Sequence, residues 1–90
     1  MKTIWKYKIP YPHDEVTIPL PHGAKVLYFG LQKGLTYIWV LVDTKQPTEN
    51  RLFRMVGTGH DIPDESLDHI GTIQMSGGNL VWHLFEVTSS

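Results

Sequence analysis

The chain has 90 residues, a formal net charge of −1 and no cysteine. This length accommodates one domain, for which we predict a core over residues 3–87 and a disordered tail at residues 88–90. Without cysteine the chain forms no disulfide and no thiolate metal site, which fits a reducing cytoplasm. We expect no secretory signal and no membrane association, because the apolar stretches are too short and the first of them is too charged.

The eight basic residues are spread along the sequence. Proteins that bind duplex nucleic acid usually concentrate positive charge on one face. From the order of the residues alone, we therefore predict no general attraction to nucleic acid and no binding of a duplex.

Short runs of β-branched and aromatic residues, separated by Gly, Pro, Asn and Asp, predict strands and turns along the chain. The first strand, residues 3–9, alternates so that Trp5, Tyr7 and Ile9 share one face and lysines the other. Pro10 and Pro12 end it, because proline donates no backbone hydrogen bond.

The second predicted strand, residues 15–20, places Val16, Ile18 and Leu20 inward. Its Pro19 assigns it to the edge of a sheet or to a bulge.

The third predicted strand, residues 25–32, has Leu27, Phe29 and Leu31 on one face and Val26, Tyr28 and Gly30 on the other. A tight turn at 33–34 leads to the fourth strand, residues 35–42, which is apolar on both faces. That pattern is typical of a strand covered on two sides, so we predict that the fourth strand is central.

Residues 51–56, 70–75 and 80–87 are the last three predicted strands. Residues 60–68 form the longest irregular segment, with one helical turn at 64–67, and the Ser-Gly-Gly-Asn sequence before the last strand forms a hairpin turn. The sequence therefore predicts an all-β fold of about seven short, mostly antiparallel strands, arranged as a small sandwich or a partly open barrel.

The segment Gly57-Thr58-Gly59-His60 has two interpretations. Glycines at a strand end let a backbone approach a ligand, and successive N–H groups form a nest for an anion. In the simpler interpretation the two glycines only turn the chain out of the sheet. Neither the dinucleotide-binding glycine pattern nor the P-loop is present.

Arg54 lies between Phe53 and Met55 in a predicted strand. Its guanidinium must extend to solvent, pair with a carboxylate or face a polar pocket, because an unpaired buried charge is costly. If the protein binds an anion, Arg54 is the residue we expect to supply the charge.

The five histidines show none of the close spacings of a zinc site, and we predict no metal. His60 and His69 bracket the acidic loop and are able to approach each other, which leaves a zinc site or a carboxylate hydrolase as alternatives. No Gly-x-Ser-x-Gly motif is present, and we predict no catalytic residue.

The aromatic residues are more numerous than a core of this size needs, so that one or two remain for a stacking pocket or a subunit interface. A candidate ligand-contacting set collects these features. Its members are Arg54, Gly57, Thr58, Gly59, His60, Trp82 and His83.

Six segments carry a resemblance to a known group of proteins: 4–7 (IWKY), 18–24 (IPLPHGA), 38–43 (IWVLVD), 57–62 (GTGHDI), 70–74 (IGTIQ) and 81–86 (VWHLFE). Together they resemble short phage-encoded proteins that are described only as a domain of unknown function. The resemblance implies a phage or prophage gene product that acts in a bacterial cytoplasm, and it supplies no catalytic residue.

Small accessory phage proteins without enzyme motifs are often inhibitors. This expectation rests on the origin of the protein and not on the chemistry of a site. We therefore expect a non-enzymatic binding protein, without a cofactor, that antagonises a host pathway by sequestering a small anionic, nucleotide-like signal. Occlusion of a host protein, an assembly role in the phage particle and a small hydrolase are the alternatives. Self-association is expected, because a pocket at a subunit boundary encloses more of a ligand.

Overall fold

The computed structural model describes residues 1–10 and 15–88. Pro12, one of the two prolines predicted to end the first strand, lies outside the described residues, as does most of the predicted tail. The described residues form seven strands: β1 (Lys2–Lys8), β2 (Glu15–Pro21), β3 (Lys25–Gln32), β4 (Leu35–Asp43), β5 (Thr48–Gly57), β6 (Leu67–Met75) and β7 (Leu80–Val87).

The strands form two antiparallel sheets that pack face to face. The first sheet has the order β1-β4-β3 and the second the order β2-β5-β7-β6. Connections β2–β3 and β4–β5 pass from one sheet to the other, whereas β3–β4 and β6–β7 are hairpins. The all-β prediction is confirmed, and the arrangement is a small sandwich and not a closed barrel.

The core lies between the inner faces of the two sheets. Ile18 and Leu20 of β2 are buried as predicted, and β2 is an edge strand as Pro19 predicted. Burial of apolar surface contributes about 25 cal/mol per Å², so these inner faces supply most of the free energy of folding. The other buried members of the core cluster are Ile9, Ala24, Phe29, Ile38, Val40, Val42, Phe53, Met55, Ile73 and Leu84.

Strand β4 is central in the first sheet, as predicted, but only one of its faces is buried. Ile38, Val40 and Val42 face the second sheet and are almost fully buried. Tyr37 and Trp39 point the other way and are half-buried. The prediction that both faces are covered is therefore wrong, because a sandwich of two layers covers each sheet on one side only. The apolar outer face needs another explanation.

Strand β3 contains a bulge that the sequence pattern did not reveal. Its register against β4 shifts between Val26 and Tyr28, so that Leu27 is the extra residue. Val26 therefore faces inward and Tyr28 outward, although a strict alternation places them on one face. The predicted grouping of Leu27 with Phe29 is wrong for the same reason.

The segment between β5 and β6 has no helical turn at residues 64–67, contrary to the prediction. Instead β6 begins at Leu67, where the ladder with β7 pairs Leu67 with Val87. Pairing with a neighbouring strand satisfies more backbone groups than one isolated turn of helix does. The predicted hairpin before β7 is present, with Gly77 and Gly78 at φ values of 67° and 93°.

Candidate functional site

The Gly57–His60 segment is a hydrogen-bonded turn. The His60 amide donates to the Gly57 carbonyl at 3.0 Å, and Gly59 has a φ of 87°. The His60 ring lies against Gly57, where an added Cβ would come within 2.8 Å of the ring carbon Cε1. Local conformation thus accounts for both glycines, one through its backbone angle and one through the close approach of a ring.

Thr58, His83, Thr72 and His69 form a chain of hydrogen bonds on the outer face of the second sheet. His83 Nε2 lies 2.8 Å from Thr58 Oγ1, and His83 Nδ1 lies 2.9 Å from Thr72 Oγ1. Thr72 Oγ1 lies 3.0 Å from His69 Nε2. Both nitrogens of His83 are therefore engaged by hydroxyl groups, which leaves neither as a free ligand for a metal.

His60 and His69 belong to separate clusters. The His60 ring packs edge-on against Trp82, with the ring centroids 5.9 Å apart, whereas His69 packs against Phe85 at 5.4 Å. Within residues 1–10 and 15–88, no three His, Asp or Glu side chains come close enough to hold a metal ion. The zinc alternative has no geometry to support it here.

A cavity of about 250 Å³ lies beside the Gly57–His60 turn. Its walls include Val56, Ile62 and Phe85, together with His60 and His83. Val56 is buried although it lies on the outer face, and it lines this cavity together with Ile62 of the β5–β6 loop. The lining carries apolar groups and two histidines but no Lys or Arg, so it offers no permanent positive charge to pair with a phosphate.

Arg54 does not supply a free charge to this site. Its NH1 lies 2.6 Å from Glu15 Oε2, and its Nε donates to Glu65. These carboxylates raise the pKa of Arg54 above its ordinary value, and the largest cause is the hydrogen bond that Arg54 donates to Glu65. Of the three environments that the sequence left open, pairing with carboxylates is the one observed. An anion would have to displace two negative partners to reach this guanidinium.

Charge is divided between the two sheets. Seven of the eight side-chain carboxylates in the described part of the chain lie on the second sheet or in the β5–β6 loop, together with both arginines. The chain's six lysines all lie on the first sheet or in the segments that directly follow its strands. Positive charge is spread evenly along the sequence but not over the folded protein. Although the net charge is −1, the half of the protein that contains the first sheet is basic. These lysines are Lys2, Lys6, Lys8, Lys25, Lys33 and Lys45.

The register places four of these lysines on the outer face of the first sheet. Residues paired across an antiparallel ladder point to the same side. Lys2, Lys6 and Lys8 of β1 pair with Asp43, Trp39 and Tyr37 of β4, all of which point outward. Lys25 of β3 pairs with Leu41, which also points outward. We call this outer surface of β1, β4 and β3 the lysine–aromatic face.

Three aromatic rings occupy the middle of the lysine–aromatic face. Trp39 has its ring centroid 5.7 Å from that of Tyr28 and 6.0 Å from that of Tyr37, with tilted planes. Tyr28 is 62% exposed. Its ring lies over Gly30, where an added Cβ would come 2.3 Å from Tyr28 Cε2. The glycine therefore gives the tyrosine ring room to lie across the sheet.

Of the carboxylates that the structure describes, Asp43 is the one that the register places on this face. It lies 3.5 Å from the amino group of Met1. A backbone hydrogen bond from Lys45 is the main reason that the pKa of Asp43 is lowered. Asp43 is thus already engaged at the end of the face, and in the described part of the chain no carboxylate lies opposite Lys6, Lys8 or Lys25.

Sequence reasoning missed this face because its lysines lie on two strands that are not neighbours in the chain. Lys6 and Lys25 are separated by the whole of β2. Two features of the sequence could have indicated the face. Lysines alternate with apolar residues in β1, and β4 contains aromatic residues and is apolar on both sides.

A search against family models decides the family. The family described as "Domain of unknown function (DUF7352)" matches residues 1–90. The chain belongs to this family. No curated protein and no solved structure matches this DUF7352 chain. In its described residues, no helix has the length and apolar character needed to cross a membrane.

Proposed function

We propose that this DUF7352 protein is a non-enzymatic binding protein that captures a nucleotide-type anion on its lysine–aromatic face. A nucleotide offers a flat base and a charged phosphate. The face offers rings that stack on the first and ammonium groups that attract the second.

The observation that carries the proposal is the coincidence of four exposed lysines and three aromatic rings on one sheet surface. Aromatic residues exposed together on a strand face otherwise reduce solubility, and their solvation by water is unfavourable. A bound base would cover them. The lysines around them would make that binding selective for an anionic ligand over a neutral aromatic one.

The Gly57–His60 turn is a weaker candidate for the same ligand. Arg54 is paired with two carboxylates, and Asp61 lines a neighbouring cavity together with it. Negative charge at that position would repel a phosphate. We therefore assign the anionic ligand to the first sheet and not to the candidate set of residues taken from the sequence.

Calorimetric titration with linear and cyclic nucleotides tests this function, with inorganic pyrophosphate as a probe for charge alone. We expect nucleotides to bind and pyrophosphate to bind at least several-fold more weakly, because it cannot stack. Tyr28→Ala and Lys6→Gln should each weaken nucleotide binding about tenfold, which is about 1.4 kcal/mol. Lys45→Gln removes the same charge from the β4–β5 loop and should leave the affinity within about twofold.

The opposite pattern of variant effects would place the ligand at the Gly57–His60 turn. If Thr58→Ala and His83→Ala abolish binding while Tyr28→Ala and Lys6→Gln do not, the ligand lies at the turn. If neither a mononucleotide nor a short oligonucleotide binds to the unaltered protein, the proposed function is wrong.

The setting of this function is part of the proposal. The resemblance to phage-encoded proteins supports a role in the bacterial cytoplasm, where capture of a nucleotide-type signal would antagonise a host defence. Occlusion of a host protein is the second candidate, because the half-exposed aromatic surface also fits a protein partner. Co-purification of one host protein, without any retained nucleotide, would favour it.

Self-association also belongs to the proposal. Strand β1 is an edge of the first sheet, and its Ile4 and Trp5 are 54% and 43% exposed. Pairing of β1 with a second copy would extend the lysine–aromatic face across both subunits. Light scattering coupled to size exclusion measures this directly, and a mass of 10.3 kDa at all concentrations would remove it.

A further inference from the structure

We infer that the ligand of the lysine–aromatic face is a single-stranded nucleic acid, which occupies the face along the length of β1 and β4. This inference rests on the proposed function, because it uses the same lysines and rings. It goes further by assigning a polymer and not a mononucleotide.

The spread of the lysines is the first argument. Lys8 pairs with Tyr37 and Lys2 with Asp43, so the two lysines lie six residues apart along β1. At about 3.3 Å per residue this is about 20 Å. Rings 5.7 and 6.0 Å apart would hold successive bases at about 6 Å per nucleotide, so the row of lysines matches about three to four nucleotides of one extended strand. A mononucleotide would reach the lysines at one end only.

The arrangement of the rings is the second argument. Tyr28, Trp39 and Tyr37 are separated by 5.7 and 6.0 Å, and their planes are tilted by 46° and 55°. The rings are therefore not stacked on one another. Successive rings along a sheet are a general means of holding successive bases, because every base has a π-face.

The shape of the face excludes a duplex as the preferred form. A three-stranded sheet is about 10 Å wide, and in the described residues no helix or ribbon projects from it that could enter a groove. In a duplex the base faces are covered by their neighbours, so the three rings would find no partner. The lysines alone would then bind the phosphates. Such binding is weak, and it does not distinguish a single strand from a duplex.

Fluorescence anisotropy with labelled oligo(dT) and oligo(rU) of 1, 2, 4, 6, 8 and 12 nucleotides tests the inference, using the full chain at low salt. We expect affinity to rise steeply up to about four nucleotides and then to rise more slowly. The DNA and RNA series show whether the 2′-hydroxyl contributes, and either series alone satisfies the inference. A hybridised duplex of the same length should compete at least tenfold less well.

The salt dependence provides a second readout that counts phosphates. Four lysines in contact with a single strand predict a slope of about −3 for log affinity against log salt concentration. Lys6→Gln should reduce the size of that slope by about 0.7, because one contact is lost. Lys45→Gln is the matched control and should leave the slope unchanged.

The outcomes separate this inference from the proposed function. If a mononucleotide binds as tightly as the six-nucleotide strand, the polymer is wrong although nucleotide capture stands. If the duplex competes equally, stacking plays no part and the inference is overturned. If neither mononucleotide nor oligonucleotide binds, both proposals fall together.

Discussion

Lys6 extends across the ring of Tyr37, with its Nζ atom 4.5 Å from the ring centroid. The same Nζ donates a hydrogen bond to Gln32 Oε1 at 2.6 Å. One side chain of β1 therefore crosses β4 and reaches β3 over the outer surface of the sheet. A cation above a ring is stabilised by the ring's negative face. The contact orders an ammonium group beside the aromatic rings even without a ligand.

Gly30→Ala should weaken ligand binding without unfolding the protein. The new methyl group would overlap the ring of Tyr28, which is exposed and free to swing away. We expect about a fivefold to tenfold loss of affinity, since a misplaced ring no longer stacks, and a change in stability of less than about 1 kcal/mol. Titration calorimetry and urea unfolding measure the two effects.

The control for this prediction is the double variant. In a Tyr28→Ala background, Gly30→Ala should cause no further loss of affinity, because the ring it displaces is already absent. Equal and additive losses from the two changes would show that Gly30 acts in some other way.

The ion pair between Arg51 and Glu86 should be a major support of the second sheet. Arg51 Nε and NH2 lie 2.6 and 2.8 Å from the two oxygens of Glu86, and NH1 donates to the carbonyl of Ala24. The two side chains are only 18% and 16% exposed. Glu86→Gln should therefore lower the free energy of unfolding by about 2 kcal/mol, because it leaves a half-buried guanidinium without its counter-charge.

Glu15→Gln supplies the comparison for this pair. Glu15 also binds an arginine, but its side chain is 49% exposed, so the change should cost about 0.5 kcal/mol or less. Urea unfolding midpoints of the two variants measure the difference. If both variants lose the same stability, burial is not what makes the Arg51 pair important.

Thr36→Val should destabilise the first sheet although it keeps the shape of the side chain. Thr36 is 2% exposed, and its Oγ1 donates to the Ile9 carbonyl at 2.5 Å. Valine would leave that carbonyl buried without this partner, at a cost of about 1–3 kcal/mol. Thr17→Val, at an exposed position of β2, is the matched control and should be nearly neutral. Thermal unfolding of both variants distinguishes them.

Stability should fall in acid partly because of Glu49. A hydrogen bond from the Gly23 amide, followed by His22, lowers the pKa of Glu49 below its ordinary value of 4.5. A carboxylate with a lowered pKa in the folded state contributes stability above the unfolded value, and that contribution is lost as the pH falls through the folded value. The melting temperature should therefore drop below about pH 4.5. Glu49→Gln should make the drop shallower, and an unchanged slope would contradict this role.

The sequence predicted the strands well where each residue's burial follows from simple alternation. Ile18 and Leu20 behave in this way, and so do the turns that depend on glycine. The bulge at Leu27 was not predictable, because an extra residue in a ladder is set by the partner strand and not by local pattern.

The functional surfaces required tertiary information. From the sequence, Arg54 was the residue expected to bind an anion. Its carboxylate partners, Glu15 and Glu65, come from β2 and from the β5–β6 loop, so the residues next to Arg54 do not reveal them. The lysine–aromatic face was invisible because Lys6 and Lys25 become neighbours of β4 only through the strand order. The sequence shows which residues are charged, whereas the strand order and register determine which charged side chains lie together in the fold.

A map of backbone amide shifts on adding oligo(dT) of six nucleotides to isotopically labelled protein tests binding on the lysine–aromatic face most directly. We expect the largest shifts to follow β1, β4 and β3, with Tyr28, Trp39 and Lys6 among them. The turn containing Thr58 and His60 should remain nearly unchanged. Shifts confined to that turn, or to the outer face of the second sheet, would show that the strand does not bind on the lysine–aromatic face.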